Sequence, residues 1–295
     1  MGAAMKKLLL SFLLLFLFLL PVEAANRFGV CTVTCTWDAS STAMWSTTTG
    51  GGTGASAPGA SDAVIFDGAT CVGGVTCTIT VNTTVASQSI AMGACTASTT
   101  GCILDFSANN NNVTLSTAFT STGTGTRTLN MGNGTWTLSG VSGNVWDVST
   151  ATNFTFNSNG STIVFNNTTS NTNVIFGAGL NYNAITFSSN SGRGGYVLTT
   201  AVGTMGAVTF QAPSTIFLAA AVTFPATSLV TSGGSISNLV MISSNSTQNA
   251  TTISDTAGTN TLDFVALRRI TASGGATFNA TNSIDLGGNT GITFV

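Results

Sequence analysis

The chain has 295 residues, of which only 5% are charged, with a formal net charge of −2 and no histidine. An ordinary soluble domain has about a quarter of its residues charged, and a nucleic-acid binder needs clustered Lys and Arg against phosphates; here Arg268-Arg269 is the only basic pair beyond the first 24 residues, so that class is excluded. Disorder is excluded as well, because disordered chains are charged and poor in β-branched and aromatic residues, whereas Val, Ile, Thr and Phe abound here and suit a pleated, half-buried surface.

In chain order, the first element is "MKKLLLSFLLLFLFLLPVEA" (5–24), with two lysines, an apolar core from Leu8 to Leu20, then Pro21 and the small-residue end Val22-Glu23-Ala24. This reads as a secretory signal peptide cut after Ala24 or Ala25, with Met5 a candidate initiator. Its apolar run is short for a membrane span, which needs about 20 residues, and no later apolar run is long enough to span as a helix. Lys6, Lys7 and Glu23 are the only Lys and Glu of the chain, so the strongly charged side chains beyond residue 24 are Arg and Asp alone. Localisation follows as secreted or cell-surface.

A cap segment (25–68) comes next, with Trp37, Trp45 and a Gly/Ser-rich loop before the apolar strand Ala63 to Phe66. All six cysteines fall early, at Cys31, Cys35, Cys71, Cys77, Cys95 and Cys102, an even count that fits disulfides in an exported chain. "CVGGVTC" and "CTASTTGC" suggest hairpins closed by Cys71–Cys77 and Cys95–Cys102, while connectivity as such is not encoded in spacing. Cys31 and Cys35 would share one face of an extended strand, too far apart to bond unless the chain bends. With no CxxC and no His, zinc is disfavoured.

From residue 69 to 295 short strands alternate with Gly, Asn, Ser and Thr. "FTF" at 154, "IVF" at 163, "VIF" at 174 and "ITF" at 185 recur about every ten residues, and "VTF" at 208 and 222, "ATF" at 276 and "ITF" at 292 continue less regularly. Helical periodicity is absent beyond the signal peptide; in "TLDFVALRRI" Leu262, Phe264 and Ala266 alternate as in one strand. The predicted fold is all-β, a right-handed parallel β-helix or solenoid with coils of about 20 to 25 residues, in which runs such as "ANNNNVTL" stack Asn amides between coils. The alternative is a β-sandwich of antiparallel hairpins, for which Asn133-Gly134 between Leu129/Met131 and Trp136/Leu138 is the best local argument. Arg127 reads as pointing to water. A transmembrane barrel fits less well, because its strands are longer and its aromatic girdles richer.

The series Trp37-Asp38, Trp45, Gly50-Gly51-Gly52, Pro58, Ser61-Asp62 and Val64-Ile65-Phe66-Asp67-Gly68, together with the close "RRITASGGATFNATNSIDLGGNTGITF" (268–294), resembles exported bacterial and phage-associated β-solenoid surface proteins of adhesin or tail-fibre type. The resemblance covers both ends of the chain and, by texture, its middle. It implies a surface or virion-associated β-helix and brings no catalytic motif with it.

Few residues could carry chemistry. Absence of His removes the usual general base and any Ser-His or Cys-His pair. A glycosidase needs two carboxyl groups about 5 to 9 Å apart, and only Asp38, Asp62, Asp67, Asp105, Asp147, Asp255, Asp263 and Asp285 could supply them. None pairs with another along a strand, and Asp favours turns, where its side chain bonds the backbone. "GGGTG" (50–54) lacks the Lys and helix of a phosphate loop, and Asp62 with Asp67 lacks the spacing of a calcium loop. Trp37, Trp45, Trp136 and Trp146 are candidates for stacking on sugar rings, although at this spacing such residues more often fill a core or cap. Asn-x-Ser/Thr triplets at Asn82, Asn112, Asn133, Asn153, Asn245 and Asn279 follow from composition alone. The expectation is therefore an exported, non-enzymatic solenoid without catalytic residues, metal or cofactor, presenting a polar face to carbohydrate or a cell surface and capable of homo-oligomerising. A phage tail fibre or spike, and a polysaccharide lyase or hydrolase built on a β-helix, are the alternatives.

Overall fold

The computed structural model describes residues 24–93, 95, 101–167, 171–189, 195–199, 203–220 and 223–295; residues 1–23, which hold most of the expected signal peptide, lie outside the described residues. Every regular element among them is a β-strand, and the strands stack in parallel as a β-solenoid of about seven turns. Alternation explains the strands: Cys77–Val81 buries every second residue, as does Thr162–Phe165, so each strand turns one row of side chains inward and the other outward.

Three long stacks make the walls, and a short parallel sheet of Thr259–Asp263, Thr277–Thr281 and Thr293–Phe294 adds to them near the C-terminal end. One runs from Asn26–Gly29 through Ala63–Phe66, Val85–Met92, Val113–Thr120 and Asn144–Asp147 to Thr172–Ile175, and on to Val265–Arg268 and Ile284–Asp285. A second joins Thr135–Leu138, Thr162–Phe165, Asn181–Phe187, Thr204–Gln211 and Thr223–Ser232. The third is a separate sheet of five strands, Thr34–Trp37, Cys77–Val81, Cys102–Asp105, Arg127–Asn130 and Phe154–Asn157. The stacking begins within the segment 25–68, because Asn26–Gly29 already pairs in parallel with Ala63–Phe66.

Coil length varies while register holds. Thr135 pairs with Thr162, Thr162 with Ala184, and Ala184 with Ala207, steps of 27, 22 and 23 residues. The recurrent Phe of the sequence is therefore read twice per coil. Phe165, Phe187 and Phe210 form one inward column, with ring centroids 5.2 and 5.6 Å apart and planes nearly parallel, while Phe176 belongs to the neighbouring wall and meets Phe165 edge-on at 6.2 Å.

Hairpins are not the organising unit. Among the described residues the antiparallel pairings are Asn26–Gly29 with Trp45–Ser46 and a single bridge between Ser235 and Asn238. Asn133-Gly134 is a coil corner instead of a hairpin turn: Arg127–Asn130 before it and Thr135–Leu138 after it belong to different walls. The corner demands glycine, because a Cβ on Gly134 would lie 2.3 Å from the Asn111 carbonyl oxygen of the coil below. Likewise "TLDFVALRRI" is two strands, Thr259–Asp263 and Val265–Arg268, with Phe264 at the bend between them at φ +54°.

Both tyrosines of the chain are interior. The Tyr196 hydroxyl donates to the Phe165 carbonyl at 2.8 Å and accepts from the Asn167 N–H at 2.9 Å. Burial pushes its pKa up to about 12 and raises that of Tyr182 as well. A raised phenol pKa contributes stability that is complete below the unfolded value of about 10 and is lost as pH rises through the folded value. Spectrophotometric titration should accordingly show no tyrosinate near pH ~10 in the folded protein, with both phenols ionising in one step as the chain unfolds at higher pH.

Candidate functional site

The outward residues of the five-stranded wall form two columns. Thr34, Thr78, Ile103, Thr128 and Thr155 are in register, and so are Thr36, Thr80, Asp105, Asn130 and Asn157. All ten are exposed or half-buried. Successive coils place these side chains about 4.8 Å apart, and the Asn157 amide donates to the Asn130 carbonyl oxygen at 2.7 Å. Nine of the ten carry a hydroxyl, amide or carboxyl group, and only Asp105 is ionisable. The face is thus a nearly uncharged lattice of hydrogen-bonding groups.

Beside this wall lies a recess of about 240 Å³ bordered by Trp37, Pro58, Gly59, Thr83, Thr84 and Val85. None of its lining residues is ionisable, so the recess offers shape, carbonyls and two threonine hydroxyls.

The four tryptophans pack the interior. Trp37 is 2% exposed and Trp45, Trp136 and Trp146 are fully buried. Trp37 and Trp45 meet edge-on at 5.0 Å, Trp136 meets Phe106 at 4.8 Å, and Trp146 stacks on Phe119 at 4.7 Å. A sugar needs an open ring face, so the stacking role considered for them gives way to core packing; Trp37 alone also borders the recess.

The aspartates are occupied by local bonds. Asp38 accepts the Ser40 N–H, Asp67 that of Ala69, Asp105 that of Ser107, Asp147 that of Ser149, Asp255 that of Ala257 and Asp285 that of Gly287, each two residues on, the geometry of an Asx turn. Asp263 instead accepts from Asn282 and Thr281 of the next coil, and these bonds hold its carboxyl below the usual range. Asp62 is buried and paired with Arg27 at 3.5 Å. Among the described residues no group of three or more His, Cys, Asp or Glu could hold a metal ion.

Asparagines of the Asn-x-Ser/Thr triplets also bond between coils: Asn112 accepts the Thr135 N–H at 2.9 Å, Asn133 that of Gly160 at 2.9 Å, and Asn245 that of Ala220 at 3.0 Å.

The corner before the five-stranded wall is where sequence reading and structure part. Three disulfides, Cys31–Cys35, Cys71–Cys77 and Cys95–Cys102, close it in successive coils. The latter two pairings match the expected partners, but the bridged segments are corners between walls, with Cys71 in parallel to Cys31 and Cys77 in parallel to Cys102. Cys31 and Cys35 do bond: residues 32 and 33 bend the chain and bring their Cα atoms to 5.8 Å. In the next coil Arg127 stands in register with Cys102. It points inward, contrary to the expectation of a solvent-facing side chain, and is fully buried.

All five guanidinium N–H groups of Arg127 are used. Nε donates to Ser121 Oγ at 2.6 Å, Nη1 to the carbonyls of Gly125 at 2.8 Å and Thr152 at 3.1 Å, and Nη2 to the carbonyls of Ser121 at 3.1 Å and Thr150. Its charge lies 4.9 Å from the centre of the Phe154 ring, and burial lowers its pKa. Cys77 reaches back six residues, Cys102 seven and Arg127 six, so the arginine clamps its coil at the place where its neighbours use a disulfide.

No known protein family, curated protein or solved structure matches the chain.

Replacing Arg127 with Met would orphan buried carbonyls, which cost about 1–3 kcal/mol each. Arg127→Met is expected to lose about 3 kcal/mol or more in urea unfolding, and Arg127→Lys, with a single nitrogen in place of the planar fork, should recover only a minor part of that loss.

Proposed function

We propose that the protein is an exported, non-enzymatic display solenoid of adhesin type, whose five-stranded wall binds carbohydrate or a similar polar cell-surface array. The observation that carries this reading is the pair of outward columns, Thr34/Thr78/Ile103/Thr128/Thr155 and Thr36/Thr80/Asp105/Asn130/Asn157. Hydroxyls and amides of this kind both donate and accept, and a repeating ligand can engage several rows at once. Individually weak contacts then combine through effective concentration. The three disulfides are consistent with an extracytoplasmic setting. The neighbouring recess, uncharged and bordered by Thr83 and Thr84, could receive the end of such a chain.

The test is a glycan-array screen of the purified protein, with mass spectrometry of each hit. Binding without shortened products is expected. Thr128→Glu, an outward change at mid-wall, should weaken binding at least about tenfold while leaving the thermal midpoint within a few degrees. Shortened products, or equal binding by the variant, would contradict the reading.

A further inference from the structure

The parallel register that sets Asn26 beside Ala63 also sets Ala25 beside Asp62. There the Ala25 nitrogen donates to Asp62 Oδ1 at 3.0 Å, and the Ala25 carbonyl accepts the Ala63 N–H at 3.0 Å. The Gly59 N–H donates to Asp62 Oδ2 at 2.9 Å, and Arg27 Nη2 stands 3.5 Å from the same oxygen. Asp62 is 4% exposed, a costly place for a carboxylate in a chain with so few cations, and its pair with Arg27 is the one ion pair among the described residues. Ala24, the next residue upstream, is exposed.

We propose that the chain is cut between Ala24 and Ala25, and that the new α-ammonium of Ala25 locks onto the buried Asp62 carboxylate as the first coil closes. The inference rests on the export reading above and deepens it. A leader-removing protease of the exporting cell supplies the reaction: water adds across the Ala24–Ala25 peptide bond, leaving a carboxylate on Ala24 and an amine on Ala25 that takes up a proton. The nitrogen already aimed at Asp62 then bears a full charge, and a charge-assisted hydrogen bond is roughly twice as strong as a neutral one. A cut after Ala25 would instead remove both the donor to Asp62 and the carbonyl that receives Ala63 N–H. The geometry thus selects one of the two cleavage positions that the small residues 24 and 25 permit.

The composition provides a clean test. Lys6 and Lys7 are the only lysines, so a chain beginning at Ala25 has a single primary amine. The full chain would be expressed in an exporting bacterial host, and the recovered protein read by N-terminal sequencing and intact mass. It would then be treated with an amine-reactive acylating reagent, folded and in denaturant. The expected result is an exported chain beginning at Ala25, whose amine labels at least about tenfold more slowly in the folded protein, since a paired ammonium must give up its partner and proton before reacting. In Asp62→Asn that protection should fall away. An exported chain beginning at Asn26 or beyond, or equal labelling folded and unfolded, would overturn this inference alone. An uncut chain retained inside the cell would overturn it together with the export reading.

Discussion

Each coil of this solenoid must turn its corner directly above the corner beneath it. Parallel stacking fixes the register, so Cys77, Cys102, Arg127 and Phe154 follow one another in a single column. Whatever closes the corner must fit the same space in coil after coil, while the chain between corners varies in length. The first coils use covalent closure. A bridge over a loop this short removes unfolded-state entropy worth about 2 kcal/mol. One coil later a guanidinium does the work by collecting carbonyls from its own corner and from the next, at Thr150 and Thr152. Phe154 follows Arg127 in the column, its ring 4.9 Å from that guanidinium.

The scarcity of charge follows from this construction. Backbone ladders and inward columns such as Phe165, Phe187 and Phe210 hold the walls. Polar side chains serve the bends: Asp closes turns onto its own backbone, and Asn reaches the N–H of the adjoining coil, as Asn112 does to Thr135. Lys and Glu have long flexible stems that would cost side-chain entropy at such tight corners. What remains outside is Thr, Ser and Asn in rows, and the proposed binding role draws on those rows instead of on any single reactive group.

Much of this was legible in one dimension. The strand cadence, the recurrence of Phe along it and the turn role of Asp follow from strand spacing and from turn chemistry, both local properties. Register between coils was not legible, because steps of 22 to 27 residues hide it. For that reason the outward Thr and Asn columns emerge only in three dimensions. Asn133-Gly134 misled because a corner and a hairpin turn ask for the same residues. The bond between Cys31 and Cys35 depends on a bend that their spacing does not reveal. Arg127 misled because a lone cation normally seeks water. One signal was present: Cys77, Cys102 and Arg127 are spaced 25 residues apart, which places the arginine in the cysteine column.

The most direct measurement of this account is amide hydrogen exchange by mass spectrometry, with the disulfides intact and with all three confirmed as reduced. If corner closure sets local stability, reduction should lower protection in Thr34–Trp37, Cys77–Val81 and Cys102–Asp105. Arg127–Asn130 and the stack from Thr135 onward, closed by other means, should keep theirs. Unchanged protection in the three strands, or a loss spread evenly along the chain, would contradict it.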